Sequence, residues 1–158
     1  METVGIVGAG MMGSGIAEAV AVAGLRAIVY EPEGGPLERS QERIEASLEK
    51  AVARGKLPSD AASDARHAIS HTTHIGDLVD AELVIEAVTE DEAIKTAVFR
   101  ELDEVVGRDV ILASNTSSIP ITTLAAATAR PHRVLGLHFF SPVPVMRLVE
   151  IVPGIQTS

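Results

Sequence analysis

The chain has no cysteine and no tryptophan among its 158 residues. That excludes disulfides, thiolate nucleophiles and cysteine-ligated metals, and with them any dehydrogenase that oxidises twice through a thiol ester. Aromatic residues make up only 3% of the sequence, so the core must be built from Val, Ile, Leu and Ala. Aliphatic cores of this kind suit parallel sheets buried on both faces. Basic residues are also scarce, 13 against 22 acidic ones, for a net charge of −9. Nucleic acid and anionic membrane are poor partners for such a surface, although local amides and a few cations can still hold a phosphorylated ligand. No long apolar run is uninterrupted: the stretch from Met11 to Tyr30 carries Glu18 and Arg26, and reads as a helix followed by a strand. No basic segment precedes the first apolar run, so no signal peptide is expected and the cytoplasm is the expected compartment.

What is present alternates regularly. Thr3–Val7, Ala27–Tyr30, Leu83–Val88, Val110–Ala113, Val134–His138 and Leu148–Val152 read as short buried strands, with Ile69–Thr73 as a further one. Between them fall helical patterns at Gly13–Ala23, Pro36–Arg54, Glu92–Val106 and Pro120–Ala127, and Pro58-Ser59-Asp60 can start a short helix. This order specifies an α/β domain spanning residues 1–158, a Rossmann-type doubly wound, mostly parallel sheet with helices on both faces. At the end, Pro153-Gly154 closes the last strand and Thr157-Ser158 has the character of a helix cap, which reads as a domain cut at a linker.

Gly8-Ala9-Gly10-Met11-Met12-Gly13 fits G-x-G-x-x-G. Alone the pattern is weak, but here it follows a strand and opens a helix, the context that gives it meaning. Gly8 permits the tight turn, Gly10 lets a pyrophosphate approach the backbone, and Gly13 allows close helix–strand packing. The free amides of the helix N-terminus would face the phosphates. Glu31 ends the second strand, where an acidic side chain bonds ribose hydroxyls and repels a 2′-phosphate, so NAD is expected over NADP.

Near the C-terminus, His138 ends one strand and Glu150 lies on the returning one. A carboxylate on one ring nitrogen fixes the tautomer and leaves the other nitrogen as a base, the arrangement that oxidation of an alcohol needs. A structural histidine beside an unrelated glutamate is the competing interpretation. Ser114-Asn115-Thr116-Ser117-Ser118 can cap the following helix, serve a ligand, or do both. Nothing around Ser117 resembles a nucleophile elbow. His71 and His74, three apart on a strand, face opposite sides, so no metal site is expected. His67 and His132 are expected at the surface. Lys50, Arg54 and Lys56 form a basic end to the long helix.

With the glycine turn, Glu31, Ser114-Asn115-Thr116-Ser117-Ser118 and His138-Phe139-Phe140 in place, the chain resembles the NAD-binding domain of the 3-hydroxyacyl-CoA dehydrogenases, the bacterial 3-hydroxybutyryl-CoA enzymes in particular. The resemblance runs over essentially all 158 residues. It implies NAD-dependent oxidation of (S)-3-hydroxyacyl-CoA to 3-oxoacyl-CoA, or the reverse, in fatty-acid or butanoate metabolism. His138 becomes the general base, Glu150 its partner, and Ser117 the contact to the reacting oxygen. Glu90, Lys95 and Asn115 join the turn residues in lining the cofactor site. Ser40 falls on the side of coenzyme A. Ser141, carried over among the cofactor-site residues, stands where the family usually has asparagine, and its shorter hydroxyl would replace that side chain only through water. The resemblance also implies a second, all-helical domain, absent from this chain, that completes the acyl-CoA cleft and makes a homo-oligomer. Rival expectations are another hydroxyacid or sugar dehydrogenase with a similar first domain, and an NAD-binding module that does not turn over by itself.

Overall fold

The computed structural model describes all 158 residues. Seven strands form one sheet in the order β3-β2-β1-β4-β5-β6-β7. They are β1 (Thr3–Val7), β2 (Arg26–Tyr30), β3 (Ile69–Thr72), β4 (Leu83–Glu86), β5 (Ile111–Ser114), β6 (Val134–Phe139) and β7 (Val149–Pro153). The first six are parallel, and β7 runs antiparallel to β6. Helices α1 (Met11–Val22), α2 (Gly34–Ala53), α3 (Ser59–Ala68), α4 (Glu92–Val105) and α5 (Ile121–Ala125) connect them. The α/β doubly wound expectation holds, with strand ends shifted by no more than two residues.

The two sheet faces carry separate cores. Ile16, Ala17, Leu37, Ile44 and Leu48 of α1 and α2 pack on Val4, Ile6 and Val29. On the other face Phe99 and Leu102 of α4 and Leu124 of α5 pack on Val7, Val84 and Leu112. Phe99 is the only aromatic residue among the buried core residues. Two 3-10 turns, Ile75–Leu78 and Pro131–Arg133, were not legible beforehand because such short pieces have no periodic signal.

This winding places the functional chemistry. The chain builds β1, β2 and β3 outward on one side, then crosses to β4 on the other side of β1. The direction reverses between β1 and β4, and ligands of open α/β sheets collect at the carboxyl ends beside such a switch point. Both Gly8 and Glu86 sit there. At the far edge β7 is exposed along its whole length, and Val145, Met146, Leu148, Ile151 and Ile155 are exposed apolar side chains around it. No helix is long and apolar enough to cross a membrane.

Candidate active site

The glycine turn has the backbone that its sequence requires. Gly8 has φ +105°, and a Cβ there would sit 2.7 Å from the Ala87 carbonyl oxygen. A Cβ on Gly13 would overlap the Gly8 carbonyl oxygen, so α1 can lie this close to the turn only without a side chain at 13. Gly10 differs: a Cβ there would meet nothing within 4 Å and would point into open space. Gly10 is also the N-cap of α1 and has no side chain to occupy the free helix amides. An open space walled by unpartnered amides fits a dinucleotide pyrophosphate.

Glu31 reaches back to the same turn, where its carboxylate accepts a hydrogen bond from Ala9 N–H at 3.1 Å. This fixes one carboxylate oxygen against the glycine turn. Arg43 of α2, which the sequence reading passed over, donates to the Ala9 carbonyl at 3.2 Å from the other side. Met11 and Met12 begin α1 and line a cleft of about 180 Å³ with Gly15, Glu18, Arg43, Ser47 and the Ser141–Pro144 turn. Ser141 therefore borders the same cleft as the start of α1.

The antiparallel register sets His138 directly opposite Glu150. Nδ1 of His138 lies 2.8 Å from a Glu150 carboxylate oxygen. With Nδ1–H donating to the carboxylate, Nε2 carries no hydrogen and can take a proton. The Phe140 ring packs against the imidazole, centroids 4.6 Å apart. Asn115, just past β5, accepts from the Phe139 backbone N–H at 2.8 Å and ties the serine-rich turn to the residue after His138.

That turn is held by Glu90. One carboxylate oxygen accepts from the Thr116 hydroxyl at 2.5 Å and the Ser117 N–H at 2.9 Å. It also takes the Ser118 N–H at 3.3 Å and hydroxyl at 3.2 Å. Burial works to raise the Glu90 pKa, but the Thr116, Ser117 and Lys95 contacts outweigh it and hold the group at about 2. Ser117 itself is exposed, its side chain free of the capping bonds.

Two expectations need correction. Ser40 does not face a coenzyme A surface. It is fully buried, bonded to the Ser14 hydroxyl at 2.9 Å and close to Nε2 of His71 at 3.3 Å. It sits three residues after Leu37 and four before Ile44, on the buried stripe of α2. The hydroxyl of that helix that does line the cleft is Ser47, which donates to Glu18 at 2.8 Å. Lys95 is likewise no open lining residue. It is 1% exposed, and its ammonium is spent on Glu86 at 2.6 Å, Glu90 at 3.3 Å and the Val88 carbonyl at 3.2 Å. Sequence reasoning missed Glu86 altogether, although a carboxylate ending a buried strand was a visible signal.

His71 turns inward to Ser40 while His74 is exposed, and no cluster of three or more metal-ligating side chains forms. His67 and His132 are at the surface.

Comparison with known proteins gives this geometry a family. The sequence model described as "3-hydroxyacyl-CoA dehydrogenase, NAD binding domain" matches residues 3–158. A 3-hydroxybutyryl-CoA dehydrogenase of Mycobacterium tuberculosis is 53% identical over all of this chain and 56% of that protein. A probable 3-hydroxybutyryl-CoA dehydrogenase of Deinococcus radiodurans is 46% identical over 98% of this chain and 55% of its own length. The crystal structure of (S)-3-hydroxybutyryl-CoA dehydrogenase from Ralstonia eutropha superposes with a TM-score of 0.97 at 44% identity, over 100% of this chain and 56% of that one. The chain thus spans about half the length of the curated relatives it matches. By the family match, the glycine turn and the strand-end Glu31, this chain belongs to the NAD-binding domains of the 3-hydroxyacyl-CoA dehydrogenases.

Proposed function

We propose that the chain supplies the cofactor site and the proton-transfer pair for NAD-dependent oxidation of a (S)-3-hydroxyacyl-CoA, or for the reverse reduction. The His138–Glu150 contact at 2.8 Å, at the same sheet end as the glycine turn, carries this reading. The names of its relatives support the acyl-CoA class of substrate. Bound NAD would supply the acceptor for the hydride leaving C3. Nε2 of His138 takes the hydroxyl proton as the C–O bond becomes a carbonyl. Glu150 keeps the imidazole in the right tautomer and stabilises its cation. The Ser117 hydroxyl donates to the reacting oxygen, and Phe140 screens one side of the imidazole from water. Glu31 would take the adenosine ribose, and Ser141 and Asn115 would join the residues that hold the cofactor.

Glu150 is 52% exposed, at an edge whose apolar neighbours are also bare. That openness favours a second reading for the chain by itself: an NAD-binding module that needs further protein to close the substrate cleft. Two measurements on the same sample separate the readings. The first is NADH binding by calorimetry, and the second is NADH oxidation with acetoacetyl-CoA. Binding with turnover that falls about 10²–10⁴-fold in His138→Gln supports the enzyme. Binding without turnover supports the module. Turnover untouched by His138→Gln overturns the proposed role of the pair.

A further inference from the structure

Beneath the serine-rich turn lies a closed ring of hydrogen bonds and ion pairs that the proposed chemistry does not use. Its centre is Glu86, the last residue of β4, which is fully buried. Three donors converge on it: the Lys95 ammonium at 2.6 Å, the Ser114 hydroxyl at 2.6 Å and the Val88 N–H at 2.7 Å. Two routes lead from these donors to the turn. Lys95 continues to Glu90, which takes the Thr116 hydroxyl and the Ser117 and Ser118 amides. Ser114 accepts the Thr116 N–H at 3.2 Å. The ring joins the ends of β4 and β5, the first turns of α4 and the loop between β4 and α4.

A buried carboxylate and ammonium are costly to desolvate and contribute little net stability compared with well-packed apolar side chains. Their better-supported use is to fix one arrangement among several. Here the fixed object is the backbone that carries Ser117. Lys95 has two carboxylate partners, and only Glu86 anchors it from within the sheet. Without Glu86 the ammonium is free to follow Glu90, and the acceptor holding the turn moves with it.

We propose that Glu86 is a positioning residue for Ser117, acting through Lys95 and Glu90 on one side and Ser114 on the other. This rests on the reading that Ser117 meets the reacting oxygen. The role of the ring itself can be tested without turnover. Amide hydrogen exchange on the 158-residue chain reads it directly, because the Ser117 and Ser118 amides are bonded to Glu90. Glu86→Gln keeps the shape but removes the negative charge facing the Lys95 ammonium and turns a donor towards the Ser114 hydroxyl. Exchange at Thr116, Ser117 and Ser118 should quicken by about tenfold or more, with β1 and β5 core amides unchanged. Lys95→Met should do the same, and the double variant should be no worse than either single one, because both remove the same buried ion pair.

Should Glu86→Gln fail to fold, Ser114→Ala cuts the second route without burying a charge and should quicken the same amides. Unchanged exchange at the turn overturns the proposal. So does acceleration spread evenly over core and turn, or strictly additive effects of Glu86→Gln and Lys95→Met, since these mark a general structural role. NADH oxidation with acetoacetyl-CoA adds a functional arm: the effect of Glu86→Gln on kcat should vanish in a Ser117→Ala background. Absence of turnover in the unaltered chain counts against the enzyme reading and leaves the exchange result to decide the ring.

Discussion

Two glycines three residues apart in the same turn should fail in opposite ways. A side chain on Gly10 points into open space, and one on Gly13 overlaps the Gly8 carbonyl. Gly10→Val therefore leaves folding nearly intact. The loss of a favourable N-cap residue costs about 0.5–1 kcal/mol, and the reduced freedom of the unfolded chain returns a similar amount. The new side chain fills the space where phosphate oxygens would meet the helix amides. Losing two charge-assisted hydrogen bonds, at roughly 1.5–3 kcal/mol each, costs about 3–6 kcal/mol. At 1.4 kcal/mol per decade, NADH affinity should fall at least ~100-fold. Gly13→Ala instead forces α1 away from β1 and overpacks the junction, at about 3 kcal/mol. For a chain of this length that lowers Tm by roughly 6–12 °C. Calorimetry with NADH measures the first effect. Circular dichroism follows the second, since there is no tryptophan to report by fluorescence. The reasoning is refuted if Gly10→Val binds NADH within about threefold of the unaltered chain, or if Gly13→Ala melts alongside it.

Glu31 should make NAD(H) bind at least about tenfold tighter than NADP(H), and Glu31→Ser should shrink that preference; equal affinities in the unaltered chain contradict it. Glu150→Gln should lower kcat and displace the pH profile of turnover, because a neutral amide no longer stabilises the imidazolium; an unmoved profile contradicts the pairing. Burial raises the Glu18 pKa above its ordinary 4.5, with the Ser47 hydroxyl opposing it. The folded state therefore holds the proton longer, and its contribution is lost as pH rises from 4.5 through the raised value. Glu18→Gln should remove that slope in denaturation midpoints taken from pH 4 upward. Glu90 has the opposite sign, because its folded pKa of about 2 lies below 4.5. Its contribution is present above 4.5 and fades as pH falls towards 2, and Glu90→Gln should flatten that part of the acid profile.

The fold was legible because each strand is an apolar run closed by Gly, Pro or a charged residue, and each helix buries a stripe at 3.6-residue spacing. The pairing of His138 with Glu150 was legible too, since the Pro142-Val143-Pro144 turn sends the chain back antiparallel along β6, where position 150 falls opposite 138. Arg43 was not: an exposed basic residue on a charged helix looks like solvated surface until the helix is docked on the glycine turn. Ser40 and Lys95 went astray for a different reason. Their roles came from likeness to a family, while their own helices already placed them. Ser40 lies in line with Leu37, Ile44 and Leu48, and Lys95 in line with Phe99 and Leu102. A polar residue on the apolar stripe of a helix must find an internal partner before it can serve a ligand.

Glu31 and Glu86 make the same point from the sheet. Each ends a parallel strand at the side where ligands gather, and by strand position alone the two are equivalent. What separates them is the element that follows. After β2 the chain turns into α2 and leaves Glu31 half open, one oxygen on the Ala9 amide. After β4 it turns into α4, which brings Lys95 down onto Glu86 nine residues later and seals it. A strand-end carboxylate with a lysine in the first turns of the next helix is therefore neutralised from within and becomes scaffold. Glu31, without such a cation, keeps a carboxylate oxygen open beside the glycine turn. Glu90 stands between these cases, half exposed and shared between Lys95 and the Ser117 turn. It is there that the buried ring can act on the open site.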